Sequence, residues 1–595
     1  MMPLGAQMMR WTPSAVALIL CASSLHAQDV RLIAKEARSA LNTASLLRAL
    51  EDDADPQDYV AAARADYRRL LTALYAEGYY AGTISITVDG VEAANIAPLD
   101  APSTITEVVI RVEPGAQFTF GDVNIAPLAP GSTLPETLGS RETANSDVIQ
   151  SAVSGNLRSW RNLGYATARV TDEQIIAQHA TSTLDVGVSI APGPQLTFGA
   201  LNIRGNEDVR TDRILEIAGL PNGETYSPDE IDTAENRLRR TGAFSSVSMT
   251  EADVIGANNT LDINAQIAES KPRRIGVGIE LSTIDGLTLS TYWLHRNWFG
   301  GAEQFRVDGE VAGIGGETGG IDYSLGTSFT RPATFGADTD FYITTELSHE
   351  DEPDYLLDKL EVELGFSRIL TEHLTVSAGV GLLTAYEETD LDTREYTLLT
   401  LPLDATYDRR DDSTDAKTGY YIDSELTPFV SLLGDNISGA RSFTDVRGYY
   451  SFGQEQGLTF AARGQFGNVF GAGIDEAPAD FLFYSGGGGT VRGQSYNALG
   501  IDTDDGTTGG TSFVGLQLET RVQVWEKISL VGFYDVGAVE EDALPFETDN
   551  WHAGAGFGLR YDTGIGPLRL DLGTQASGDD AGEDLQVYIG IGQAF

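Results

Sequence analysis

The 595-residue chain has one cysteine, six histidines, 39 Lys+Arg against 87 Asp+Glu, and no long apolar run. Each scarcity removes a class of protein. A formal net charge of -48 leaves no basic surface to neutralise a phosphate backbone, which excludes DNA and RNA as partners. With Cys21 the sole thiol, neither a disulfide-stapled small domain nor thiolate catalysis is available. The histidines form no HExxH or other paired metal spacing, and no GxSxG elbow or GxxxxGK phosphate loop occurs. The residues therefore point to no enzyme, cofactor or metal. After Gln28 no stretch approaches 18 uninterrupted apolar residues, so no transmembrane helix is expected. At 42% hydrophobic residues the chain is not a disordered polyanion either. A large, acidic, folded protein remains, and if it crosses a membrane it does so as a β-barrel.

Residues 1–27 place Arg10 before an apolar stretch from Ala15 to Ala22 and end on Leu25-His26-Ala27. That order reads as a secretory signal peptide, too short in its apolar part to span a bilayer. Leu20 precedes Cys21 where lipoprotein signals need a small residue, which argues against lipidation. Without this segment the chain has no cysteine at all.

An internal repeat organises the first half of the chain. Val112-Glu-Pro-Gly-Ala-Gln-Phe-Thr-Phe-Gly-Asp-Val-Asn-Ile125 returns as Ile190-Ala-Pro-Gly-Pro-Gln-Leu-Thr-Phe-Gly-Ala-Leu-Asn-Ile203. Each copy closes one unit with a strand and opens the next. Between these marks a helix stops at a glycine near an aromatic, at Gly78, Gly164 and Gly242, so there are three units. Tyr67, Leu70, Leu71 and Leu74 give the first helix its apolar stripe. Ser227-Pro-Asp-Glu230 supplies the third with a cap hydroxyl, a first-turn proline and a capping-box carboxylate. Alternating strands come after the glycine stops, as at residues 83–88 and 260–267. The expected boundaries are 28–115, 116–193 and 194–271, each a strand, helices and two strands, an α+β module.

From residue 272 the grammar changes. Residues 275–281, 398–403 and 559–563 are short strand-like stretches, most of them alternating, separated by Asp- and Gly-rich turns. One apolar face and one polar or glycine face suit a wall between lipid and a hydrated lumen. At roughly 20 residues per strand and connection, residues 272–595 make about 16 antiparallel strands. A soluble β-sandwich or propeller is the alternative. In the terminal stretch 585–595 the odd positions are Leu, Val, Ile, Ile, Gln and Phe, which puts the chain's last residue, Phe595, on the lipid-facing side.

Few residues carry chemistry. Gly554-x-Gly556-x-Gly558 lies in a predicted strand and reads as small lumen-facing positions rather than a nucleotide loop. Asp502-Thr-Asp-Asp-Gly506 lacks the twelfth-position Glu of a calcium loop, having Phe513 there, and reads as a solvated acidic loop. The informative cluster is Ser485-Gly-Gly-Gly-Gly-Thr-Val-Arg-Gly-Gln494. Its glycines allow close backbone approach. Its Arg492 needs a partner if it enters a barrel, and Glu519 and Asp535 stand in the next two strands, suited to a planar guanidinium fork. Composition alone fits an exposed, unpartnered arginine equally well.

Val491-Arg492-Gly493 after a glycine run resembles the inward-folded loop motif of the outer-membrane assembly and two-partner secretion superfamily, which joins periplasmic POTRA modules to a 16-stranded barrel. Arg296-Asn-Trp-Phe-Gly300, Tyr407-Asp-Arg-Arg-Asp411 with Thr418-Gly419, Gly566-Pro-Leu-Arg569 and Gly592-Gln-Ala-Phe595 extend the likeness. Gln494 stands where an aromatic is common, and Ala416-Lys417 replaces a frequent Pro-Thr. The resemblance implies that Arg492 is a latch on Glu519 and Asp535, that Phe595 is a terminal assembly signal, and that the barrel lies in the outer membrane with the POTRA modules in the periplasm. Three modules and this length are most similar to the TamA-like branch. That branch implies unfolded β-barrel or autotransporter clients and a TamB-like, inner-membrane-anchored partner. A BamA-like insertase and a two-partner secretion transporter are the alternatives.

Closing such a barrel sets its first strand against its last. Glycines at 276 and 278 then lie near those at 590 and 592, with Val277 near Ile589, giving a seam poor in cross-strand side-chain pairs.

Overall fold

The computed structural model describes residues 29–595 except 51–53, 98–99, 283–285, 317–318, 353–354, 390–392, 435, 454–456, 504–505, 526, 543–549, 564–565, 579–580 and 583–584. The signal-peptide segment and positions 504–505 of the acidic loop therefore lie outside the described residues. The chain divides into two compact units, residues 1–196 with 225–228, and residues 197–224 with 229–595.

The first unit holds two small sheets. In one, the strands run in the order Asp29–Ile33, Glu107–Glu113, Thr83–Val88, Val91–Glu92, the first pair parallel. Helices Arg38–Ala44 and Pro56–Ala76 accompany it. Asp55 caps the longer helix reciprocally with Asp58, and Pro56 occupies the first turn, where its missing N–H costs nothing. Leu70 and Leu74 from the predicted stripe are fully buried with Leu41, Val60, Ile86 and Ile110. Asp66, which the pattern does not single out, is buried too. It accepts hydrogen bonds from the Ser45 hydroxyl at 2.6 Å and the Leu46 amide at 2.8 Å, tying the helix to the preceding loop.

In the other sheet Thr183–Ala191 lies between Thr119–Ala126 and Arg169–Gln178, with helix Ser146–Asn162. The Tyr80 hydroxyl donates to the Ala144 carbonyl at 2.8 Å and its ring meets Phe118 edge-on, so the two modules share an aromatic joint.

The second unit begins with a third sheet, Thr197–Arg204, Thr260–Glu269 and Phe244–Glu251, accompanied by helices Thr211–Ala218 and Pro228–Arg240. Gly78, Gly164 and Gly242 have φ of +81°, +95° and +65°, the left-handed turn that ends a helix cheaply only at glycine. Ser227, which belongs to the first unit, donates its hydroxyl to the Asn162 side-chain oxygen of that unit at 2.9 Å.

A closed antiparallel barrel completes the chain, from Arg273–Ser282 to Leu585–Ile591. Among the described residues it has seventeen segments, but Thr393–Thr400 and Leu403–Asp408 are halves of one strand, since both lie between Leu374–Thr389 and Gly419–Leu433. The stretch expected to run unbroken from 398 to 403 is thus interrupted at Leu401-Pro402, where proline has no N–H for the ladder. Counting the halves as one wall gives sixteen. Side chains alternate as expected: on Tyr355–Thr371, Leu360, Val362, Leu364 and Phe366 are exposed outward, while Lys359 turns inward to reach Asp480 at 2.9 Å.

The two ends of the barrel meet over a short register. Among the described residues Leu281↔Ile589 and Ser282↔Tyr588 are the pairs between first and last strand, against seven pairs between the last two strands and sixteen between the longest two. This corrects the glycine alignment expected from the sequence: Ile589 opposes Leu281 rather than Val277. Gly276, Val277 and Gly278 pair with Tyr292, Thr291 and Ser290 on the second strand, and have no partner on the last strand among the described residues.

A second correction concerns the terminus. The ladder ends at Ile591, Gly592 turns with φ +100°, and Phe595 is buried instead of facing outward. Its ring lies against Tyr449 and Arg521, and the Arg521 Nη2 donates to its backbone oxygen at 3.3 Å. The strand stops before the alternation does.

Candidate functional site

Between the strands Leu458–Phe470 and Ser512–Trp525 a long connection folds back against the inner wall. Phe481 packs on Phe429, and Phe483 stacks between Phe443 and Phe513. Arg441 donates to the Phe481 carbonyl at 3.2 Å. These aromatic and polar anchors draw in the glycine-rich tip and leave Val491 and Arg492 buried.

Arg492 is held from three sides. Its Nε and Nη2 grip Asp535 at 2.7 and 2.9 Å, and its backbone N–H adds a third bond to the same carboxylate at 3.1 Å. Nη1 donates to Glu519 at 2.6 Å and to Asp571 at 3.3 Å. Beneath the guanidinium lies the Phe533 ring, 3.8 Å from Cζ to centroid, a cation–π contact in a dry setting. Arg521 holds the second Glu519 oxygen at 2.8 Å, and Arg560 bonds Asp571. Three guanidinium groups thus face three carboxylates in a neutral, buried network. Such a cluster is tolerable only because each charge is paired with another.

Local sequence explains the fit. On the strand Trp551–Tyr561 the positions 554, 556 and 558 are glycine. A β-carbon at Gly554 would stand 1.8 Å from the Arg492 carbonyl oxygen, and one at Gly558 would stand 2.1 Å from an Asp571 oxygen. Of the glycines expected as small lumen positions, Gly554 is the floor on which the loop rests, while Gly556 and Gly558 make room for Phe533 and for Asp571 with Arg560. Gly493 has φ +93° and its N–H donates to the Tyr588 hydroxyl at 3.1 Å. Gln494, where an aromatic is common, donates its side-chain amide to the Ala553 carbonyl at 2.8 Å.

The structure therefore brings together Val491, Arg492, Gly493, Glu519 and Asp535. It does not bring Gly276, Val277 and Gly278 against Ile589, Gly590 and Gly592 in the expected register. Sequence reasoning missed Asp571, Arg560, Arg521 and Phe533. A signal was present: Glu519-x-Arg521, Gly558-x-Arg560 and Arg569-x-Asp571 place charge at period two on the glycine-bearing faces, which are the lumen faces. No group of His, Cys, Asp and Glu arranged to hold a metal ion occurs among the described residues.

Small α+β modules leading into a closed antiparallel barrel, with an inward loop pinned by a buried arginine, define a POTRA-plus-barrel protein. Residues 297–595 match the Omp85 superfamily domain, and residues 196–270 match the POTRA family described as surface antigen variable number repeat. The chain belongs to the Omp85 superfamily. Among solved structures it is similar to BamA from Haemophilus ducreyi lacking POTRA domains 1-3, at 16% identity and TM-score 0.59 over 80% of this chain and 100% of that one. It is also similar to CdiB from Acinetobacter baumannii, at 13% identity and TM-score 0.51 over 80% of this chain and 89% of that one. At these identities the likeness concerns the fold.

Proposed function

We propose that this protein is an outer-membrane assembly factor of the TamA-like branch, with its POTRA modules in the periplasm, that inserts or translocates β-barrel or autotransporter-type clients by strand exchange at the barrel seam. The observation that carries the reading is the seam's register: among the described residues, Arg273–Ser282 meets the last strand only at Leu281↔Ile589 and Ser282↔Tyr588. A barrel closed so sparingly leaves most of Arg273–Ser282 without a neighbour on one edge, and unpaired backbone groups in lipid cost several kcal/mol each. An incoming strand supplies the missing hydrogen bonds, so exchange has little net cost, and burial of the client's lipid-facing side chains drives it without ATP. In this reading the Arg492 network is a latch that fixes the loop. A TamB-like partner adds a strand to a POTRA edge such as Arg169–Gln178, where Ile175 and Ile176 are exposed.

The rival reading is a secretion pore for one exported partner, and it needs a free lumen. The loop's contacts with Lys359, Phe429, Arg441 and Asp535, on four different strands, argue against that. The test is a reversible lock. Cysteines at Leu281 and Ile589, in a chain whose only other thiol is Cys21, should stop client assembly in reconstituted vesicles when oxidised and restore it on reduction. Undiminished assembly by the locked barrel removes the strand-exchange reading.

A further inference from the structure

The wall that carries the latch is rich in arginine, and nearly every guanidinium there has a carboxylate. Arg441, Arg447, Arg463, Arg492, Arg521 and Arg560 each have one within 4.0 Å. Arg569 is the exception among the described residues. Its Nε is buried without a hydrogen-bond partner, and its neighbour Asp571 is already bound by Arg492 and Arg560.

What lies in front of Arg569 is the seam. Arg569 pairs with Gly590 on the last strand, and Gly590 has no side chain, so the guanidinium lies across it: a β-carbon there would be 3.3 Å from Nη2. Continuing the observed register by one residue from Leu281↔Ile589 sets Glu280 opposite Gly590. Glu280 and Arg569 line the same cavity of about 420 Å³. Glu280 has no cation within ion-pair distance among the described residues. Two strand spacings, roughly 10 Å, separate the backbones of 569 and 280, a span that an arginine and a glutamate side chain bridge together when nothing stands between. Asp322 and Asp351 also line the cavity, but on strands further round the wall.

We propose that Arg569 and Glu280 form a cross-seam ion pair, reaching over Gly590, that holds the barrel in a more fully zipped state than the one described. Gly590 is then a gap kept open for this reach as well as a weak point in side-chain pairing. The pair acts on the seam used by the proposed function, but seam closure is measurable without any client, so the two ideas fail separately.

The experiment uses the full-length barrel in lipid vesicles, with cysteines at Ile279 and Ile591, the next outward-facing pair in the continued register, both largely exposed. Disulfide formation under mild oxidant is expected in this background. It should slow at least fivefold with Glu280→Gln or Arg569→Gln and recover in the charge swap Glu280→Arg with Arg569→Glu. Added salt should slow the parent pair and leave the Gln variants unaffected. Heat-modifiable migration verifies that each variant is a folded barrel. Equal rates in parent and Gln variants, or slowing that the swap fails to reverse, overturn the proposal.

Discussion

Gly554 lies beneath the carbonyl oxygen of Arg492 so closely that its strand and the loop tip share one van der Waals surface, with no room for a methyl group. The seating of the Arg492 loop is therefore set by shape as well as charge. Gly554→Ala should lift residues 491–493 off the wall while leaving all six charged partners intact. A Val491→Cys reporter, buried when the loop is seated, is expected to react with a maleimide many times faster in the Gly554→Ala barrel. An unchanged labelling rate would mean that the strand yields instead of the loop.

Charge makes a separate contribution. Arg492→Ala leaves Glu519 with Arg521 and Asp571 with Arg560, but strips Asp535 of the only cation at ion-pair distance among the described residues. An unpaired buried carboxylate costs about 3–5 kcal/mol, so the barrel should lose its heat-modifiable compact form at a clearly lower temperature. Arg492→Ala combined with Asp535→Asn should regain much of that loss. Arg492→Lys should behave more like Ala than like the parent, because a point charge cannot grip Asp535 by two nitrogens while reaching Glu519. Full stability with lysine would reduce the fork to a simple charge.

Much of this is legible without the structure. The repeat at 112–125 and 190–203 and the glycine stops at helix ends are readable because each signal is local, whereas the pairing of Arg492 with Glu519 and Asp535 comes from the family resemblance, the residues alone fitting an unpartnered arginine equally well. Register is different. The offset between first and last strand is set by barrel shear, a property of all the walls together, so glycine spacing places Ile589 four residues away from its true partner. Phe595 is misplaced for a related reason: alternation has no mark for where a strand ends, and Gly592 turns the chain inward. Asp571 escapes notice because its importance arises only once a loop 79 residues earlier has folded against it.

Within the second unit, Asp338, in the turn between two barrel strands, receives hydrogen bonds from Arg237 at 2.9 Å and from Arg240 at 3.2 Å, both on the third module's helix. The Arg237 guanidinium, with Arg240 behind it, holds the Asp338 carboxyl below the ordinary aspartate range against the opposing effect of burial. A depressed folded value means the contribution is complete above the ordinary aspartate pKa, near 4, and fades as pH falls towards the lower folded value. Spin labels at Asp212 and Glu372 should therefore report a narrow module-to-barrel distance at pH 7 that broadens only below about pH 4. Asp338→Asn should broaden it at both values and remove the pH dependence. The side chains are partly exposed, so the loss should be about 1 kcal/mol or less.

The inward terminus connects the last strand to the Arg492 network. Gln593 accepts from Arg560 Nε at 2.9 Å and donates to Asp415 at 2.8 Å, while the Phe595 backbone oxygen accepts from Arg521. Arg560 and Arg521 are the groups that hold Asp571 and Glu519, the carboxylates that Arg492 shares. Two short chains of contact thus run from the last residues to the loop, through cations bound at both ends. Gln593→Ala with Phe595→Ala should free the terminus from the lumen wall and loosen the network by taking the Gln593 side chain from Arg560 and the Phe595 ring from Arg521. Two readouts should move together: Ile279→Cys/Ile591→Cys disulfide formation should accelerate as the released strand extends along its neighbour, and Val491→Cys labelling should rise. If the disulfide accelerates while the loop stays protected, terminus and loop are mechanically independent and the shared arginines serve stability alone.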